Sequence, residues 1–308
     1  MTSQTTPDLH GRRALVTGAS DGIGLQIAHQ LAAAGAELIL PVRNTAKGER
    51  AATALRDRVP DVAVTLAELD LSSLDSVARL ADDLLAGGEP IHILVNNAGL
   101  MHPPQRQLTA DGFEIQFGTN HLGHFALAGR LLPLLRAGGA RVVSQTSIAA
   151  QRGSVAWDDL DGARSYSVGQ SYRQSKIAVG LFGTEFQRRS EQQGWGITST
   201  VSHPGVAPTS LLAARPEIGR AGDTVGVRVI RALSSRGILF GTPESAATPA
   251  FLAATDADPQ PGTMYGPTGP GGVGGPAGST PLYRPLRSDA DAARMWQISE
   301  ELTGVRFP

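Results

Sequence analysis

Six short runs along this chain are apolar and strand-like, at 13–17, 38–42, 62–69, 91–95, 141–147 and 197–202. Amphipathic or alanine-rich segments of helix length separate them. A strand with one wet face alternates apolar and polar residues, whereas a run that is apolar throughout must be covered on both faces. The pattern therefore predicts an α/β fold: a single-domain, Rossmann-type, doubly wound parallel sheet flanked by helices on both faces.

No linker of Pro, Gly and Ser interrupts this alternation before residue 258. Residues 11–308 thus read as one domain behind a polar, flexible N-terminal tail at 1–10. From 258 to 286 prolines and glycines accumulate, notably Gly266-Pro-Thr-Gly-Pro-Gly-Gly-Val-Gly-Gly-Pro276. Such a stretch predicts a long loop rather than a helix or a central strand. A last helix is expected at 289–302.

Charge narrows the partners. With 27 Lys+Arg against 28 Asp+Glu, the chain lacks the basic surplus that binding to nucleic acid or an anionic membrane needs. It has no cysteine, which excludes disulfides and thiolate metal sites. No run approaches the ~18 apolar residues of a transmembrane segment, so a cytoplasmic protein is expected.

The first strand is followed by Thr-Gly-Ala-Ser-Asp-Gly-Ile-Gly at 17–24. Glycines so placed let the backbone turn sharply and approach a pyrophosphate, while the next helix offers its unpaired N–H groups. Gly18, Ser20, Asp21, Gly22, Ile23 and Gly24 are the candidate contacts. Later strand ends should face the same crevice. Asp70 and Leu71 close strand three, Asn97, Ala98 and Gly99 follow strand four, and Pro204, Gly205, Val206 and Thr209 follow strand six.

Tyr172 and Lys176 lie four apart in a segment of helical pattern, so they share a face. A phenol near its ordinary pKa of ~10 is a poor base, but a neighbouring ammonium favours the phenolate. On that reading the pair lowers Tyr172 far enough to act as acid or base near neutrality. His102, His121 and His124 lack a completing carboxylate, so no metal is expected. Ser202 and His203, adjacent in a strand, point to opposite faces and do not make a hydrolase.

Together these residues resemble the short-chain dehydrogenase/reductases. The segments 17–24 and 96–99, Asn120, Ser147, Tyr172-Arg-Gln-Ser-Lys176 and His203-Pro-Gly205 occur in that family's order. Pro41-Val-Arg-Asn44, Asn120-His-Leu-Gly-His-Phe125, Trp157-Asp-Asp-Leu160 and Met264-Tyr-Gly-Pro267 are similar to the retinol-dehydrogenase-like branch, itself close to protochlorophyllide reductase. The resemblance implies a carbonyl/alcohol oxidoreductase. Ser147 would hold the substrate oxygen, Tyr172 move the proton, Lys176 hold the nicotinamide ribose, and Asn120 anchor a water of the proton relay. Ser144 is the alternative serine, although Thr146-Ser147 aligns better with the family's usual pair. An extended-type epimerase or dehydratase and a catalytically weak NADP-binding regulator are the other readings.

Strand two ends without the carboxylate that an NAD site uses for the ribose 2′-hydroxyl. Arg43 stands there instead, with Asn44 and Lys47 behind it, which predicts NADP(H) as preferred cofactor and leaves NAD(H) as a second. Asp21 opposes this. Residues 148–170, a lid at 205–232 and the loop at 266–278 are expected to wall the substrate site. Trp157, Val206, Leu211 and Leu212 suggest a bulky apolar substrate. Gly180 and Gly183, on the helix of Tyr172, would let a neighbouring copy approach, and the resemblance implies a homodimer.

Overall fold

The computed structural model describes residues 7–208, 234 and 240–308. Eight strands form one sheet: β1 (Arg13–Val16), β2 (Glu37–Val42), β3 (Val64–Glu68), β4 (Ile93–Asn96), β5 (Arg141–Gln145), β6 (Thr198–Ser202), β7 (Thr263–Pro267) and β8 (Ala277–Pro281). Their spatial order is β3-β2-β1-β4-β5-β6-β7-β8, parallel except for the last pair. This is the single doubly wound α/β domain expected.

The helices are α1 (Gly22–Ala33), α2 (Thr45–Arg58), α3 (Leu74–Gly87), α4 (Ile115–Phe117), α5 (Gly123–Arg130), α6 (Leu132–Ala137), α7 (Val168–Gln193), α8 (Pro243–Thr255) and α9 (Asp289–Thr303). Successive strand residues serve opposite layers, as the period of two requires. Leu15, Ile39, Leu94 and Val142 pack against Phe125, Phe182, Phe186 and Trp296. Their neighbours Ala14, Val16, Leu38, Leu40, Val95 and Val143 pack instead against Ile27, Leu31 and the alanines of α8. Both layers are apolar, which is why the central strands show no alternation.

Between 258 and 286 the expectation of a loop is corrected, because β7 and β8 form there. Met264 and Tyr265 are buried and give β7 its anchor. The prolines that argued against strands sit at strand ends, Pro267 closing β7 and Pro281 closing β8, where a missing N–H costs no ladder bond. Pairing of β7 with β6 is confined to Ser202 and Tyr265.

Gly180 and Gly183 do not face a second copy. A Cβ at Gly180 would lie 2.6 Å from Leu286, and one at Gly183 would lie 2.8 Å from Val201 and 3.1 Å from Ser144. Their small size lets α7 lie close against its own chain. Among the described residues no helix is long and apolar enough to cross a membrane.

Candidate active site

β1 runs into the glycine turn, where Gly18 and Gly22 take left-handed backbone angles, φ +69° and +57°. A Cβ on Gly24 would lie 2.2 Å from the Gly18 carbonyl oxygen, so only glycine lets the helix start this close to the strand. Asp21 holds the N-cap position of α1 without making the capping side-chain bond. The first-turn N–H groups, with Ser20 and Ile23 beside them, are therefore left for an anion. A diphosphate fits this cradle. The Asp21 carboxylate lies 4.0 Å from the Lys47 ammonium, which offsets the charge that counted against a 2′-phosphate.

Opposite the turn, the segment Asn97, Ala98 and Gly99 is locked in place by one hydroxyl. Thr17 Oγ1 accepts from the backbone N–H of both Asn97 and Ala98 at 3.0 Å. It lies 2.9 Å from His124 Nε2. On the other side of the ring, Nδ1 lies 2.9 Å from the Asn120 carbonyl oxygen. A carbonyl can only accept, so Nδ1 carries the proton, Nε2 is the acceptor, and Thr17 donates to it. Burial lowers His124 to about 4, so the neutral ring keeps this tautomer. Sequence reasoning gave Thr17 and His124 no such role, and the buried hydroxyl–imidazole pair is a contact only the fold could reveal.

The Asn120 turn is a stretch of π-helix, Gly118–Leu122, a widened form that occurs often at functional sites. Its side chain accepts from Leu100 N at 2.9 Å and donates to Leu100 O and Ser175 Oγ, each at 3.0 Å. Asn120 thereby ties the end of β4 to α7.

Tyr172 and Lys176 sit on the first turns of α7 and are both buried. The Ser147 hydroxyl, which accepts from Ala149 N at 3.2 Å, stands beside the Tyr172 phenol and favours its ionised form, and His102 packs edge-to-face against the Tyr172 ring with centroids 5.3 Å apart. Lys176 Nζ donates to the Gln145 carbonyl at 3.1 Å. Gln145 in turn donates from Nε2 to Asn97 Oδ1 at 2.6 Å, so it bridges the two halves of the site; it too escaped the sequence. Ser144 points elsewhere, against Gly183, and its hydroxyl finds no partner among the described residues.

The charges correct one expectation. Burial raises the Tyr172 phenol from its ordinary value, opposed only by the Ser147 hydroxyl. Burial also lowers Lys176 to about 8. Desolvation thus outweighs the ammonium's pull on the phenolate, because a carbonyl rather than the phenol occupies the Lys176 hydrogen bond.

Arg43 stands exposed just past β2 and forms no ion pair among the described residues. Asn44 caps α2, accepting from Lys47 N at 2.9 Å. Asp70 folds back on Ser72, accepting from its N–H at 2.9 Å and its hydroxyl at 2.6 Å. A Cβ on Gly123 would lie 2.4 Å from the Leu71 carbonyl oxygen. Pro204, Gly205 and Val206 follow β6, with Val206 N donating to Val273 O at 2.8 Å. Thr209, Leu211, Leu212 and most of the 205–232 lid lie outside the described residues. The Arg294 guanidinium lies over one face of Trp157, 4.5 Å from the ring centre. Gln174 holds the surrounding wall to α7 by accepting from Ala156 N and donating to Leu160 O, each at 2.8 Å.

The family profile of the short chain dehydrogenases matches residues 12–217. The chain belongs to that family. Within the short-chain dehydrogenases it falls in the retinol-dehydrogenase-like branch. It is 40% identical over 210 residues to human retinol dehydrogenase 12, covering 68% of this chain and 66% of that protein. It is 33% identical over 317 residues to mouse retinol dehydrogenase 14, covering 96% of this chain and 87% of the relative. The match to human retinol dehydrogenase 12 therefore spans just under two thirds of that relative's length. Among solved structures, an uncharacterised protein from Mycobacterium paratuberculosis superposes with a TM-score of 0.78 at 34% identity, over 98% of this chain and 97% of that one. The RhlG/NADP active-site complex of Pseudomonas aeruginosa superposes with a TM-score of 0.60 at 27% identity, over 80% and 91%.

Proposed function

We propose that this enzyme reduces a carbonyl to an alcohol with NADPH, Tyr172 delivering the proton. The observation that carries the reading is a buried Tyr172 beside the Ser147 side chain, with Lys176 buried one turn further along the same helix. Ser147 holds the substrate oxygen, and Tyr172 gives its proton to that oxygen as negative charge develops on it. Lys176, charged below its pKa of about 8, holds the ribose hydroxyls and favours the phenolate left behind. Asn120 anchors the relay that returns a proton to Tyr172. The nicotinamide, when bound, supplies the hydride.

Arg43 supports the NADP(H) preference, since a guanidinium pairs with a phosphate through two parallel hydrogen bonds. Binding of NADP in the Pseudomonas relative supports the same choice. The names of the retinol dehydrogenases support a substrate with a long apolar body.

The test follows NADPH oxidation over a panel of aldehydes, ketones and quinones, for the native enzyme and Tyr172→Phe. Turnover by the native enzyme and its loss, by roughly a hundredfold or more, in a variant that still binds NADPH is the expected result. Tight NADPH binding with no reduction of any carbonyl would replace the reductase with a nucleotide-binding regulator.

A further inference from the structure

Between the turn after β6 and the β7–β8 hairpin lies a groove of about 400 Å³ that no assignment above uses. Its walls include Gln151, His203, Thr280, Tyr283, Arg284 and Arg287. We infer that this groove seats the far end of the carbonyl substrate and that this end carries a carboxylate, an inference that rests on the reductase reading.

Two strand ends lead both to the candidate catalytic residues and to the groove. β5 leads to Ser147 and then, through the 3-10 turn Ile148–Gln151, to Gln151. β6 leads to His203 and then to the turn at 204–206. A molecule held at Ser147 would extend along these elements towards the hairpin.

The chemistry of the lining is that of a donor set. Among the described residues no Asp or Glu lines the groove, and neither Arg284 nor Arg287 forms an ion pair. Arg287 is fixed by donating from Nε to the Leu282 carbonyl at 2.7 Å, which leaves the outer guanidinium nitrogens for a ligand. Beside them the buried His203 meets the half-buried Tyr283. Gly205 N donates to His203 Nδ1 at 3.3 Å, so the imidazole proton is on Nε2, which lies 3.1 Å from the Tyr283 hydroxyl oxygen. Nε2 donates to that oxygen, and the phenol proton is left to donate in its turn. Burial holds His203 near 4, so this arrangement persists at neutral pH. Guanidinium, phenol and amide donors on one wall, with no competing carboxylate among the described residues, match an anionic oxygen acceptor.

The hairpin is shaped around this pair. A Cβ at Gly266 would lie 2.1 Å from His203 Nε2, and one at Gly272 would lie 3.5 Å from the same ring. Glycine at 266 is what lets β7 close over the imidazole. The Gly/Pro composition that argued against strands thus serves a buried polar floor.

The test compares ω-oxo carboxylates of increasing length (oxohexanoate, oxononanoate, oxododecanoate) with their methyl esters, in the native enzyme, Tyr283→Phe and the double variant Arg284→Gln/Arg287→Gln. Both arginines are exposed, so the double variant is expected to fold. For at least one length the acid should exceed its ester in kcat/KM by on the order of tenfold, the worth of a charge-assisted pair. The double variant should abolish that preference while leaving the ester unchanged, and Tyr283→Phe should reduce it. Equal values for acid and ester at every length, or variants that lower both alike, overturn the inference while the reductase reading stands. Should neither acid nor ester be reduced, the reductase reading falls, and calorimetry with nonanedioate decides the groove. Binding lost in the double variant keeps it a carboxylate site. No binding, or sulfate binding as tightly as nonanedioate, overturns it.

Discussion

Burial raises the Tyr172 phenol and lowers the Lys176 ammonium to about 8, so at pH 7 the first keeps its proton and the second its charge. That state suits an acid giving a proton to a reduced carbonyl. The reverse reaction needs the phenolate and is slower at the same pH. The expected pH profile of kcat/KM for reduction is therefore flat near neutrality and falls as pH rises through about 8, where Lys176 discharges. A profile unchanged to well above that value would show that Lys176 acts only through its shape. Arg43 makes a separate claim on the cofactor. Arg43→Ala should raise KM for NADPH by on the order of tenfold, since a hydrogen bond to a charged group is worth ~1.5 to 3 kcal/mol, and should leave NADH kinetics nearly unchanged. Equal losses with both cofactors would assign Arg43 to the fold or to the adenine.

At the scale of elements, the site depends on β1, β4 and the π-helical turn being held in one register by Thr17 and His124. Replacing Thr17 with Val keeps its shape, leaves the Ala98 N–H without its acceptor and leaves the Asn97 N–H only the Val95 carbonyl at 3.0 Å. The expected cost is about 1 to 3 kcal/mol of stability, with a weaker Kd for NADPH. Thr17→Ser should restore the affinity, which thermal melts and NADPH fluorescence titration can check; failure of that rescue would deny the hydroxyl its role. Such contacts explain what could be read in advance. The central strands were legible because their double burial leaves no polar alternation, and the glycine turn because no other residue fits at 24. The Thr17–His124 contact joins residues far apart in sequence and leaves no local period. β7 and β8 were hidden by prolines that mark strand ends and by glycines that make room for His203. The shift of Tyr172 was misjudged because side-chain spacing reveals proximity to a charge but not the depth of burial.

Among the described residues three imidazoles are buried neutral, His124 and His203 held near 4 and His121 near 3. The unfolded chain binds protons on these groups near 6.5, whereas the fold refuses them until much lower pH. Stability is thus fully present above about 6.5 and is lost as pH falls through about 4, by up to about 1.4 kcal/mol per histidine for each pH unit. Thermal melts taken down this range should show a steep fall in Tm, and a Tm constant to pH 4 would show that the rings take up protons without unfolding. The layer that shelters His121 also gathers most of the indoles. Trp195 and Trp296 lie among Phe125, Phe182, Phe186 and Phe307, while Trp157 stands outside that cluster, half-buried beneath Arg294. The folded enzyme should accordingly emit as two populations, a blue-shifted pair inert to acrylamide and a redder, quenchable indole. Only the second reports on the 148–170 wall, which makes the native protein its own optical probe of movement beside the cleft.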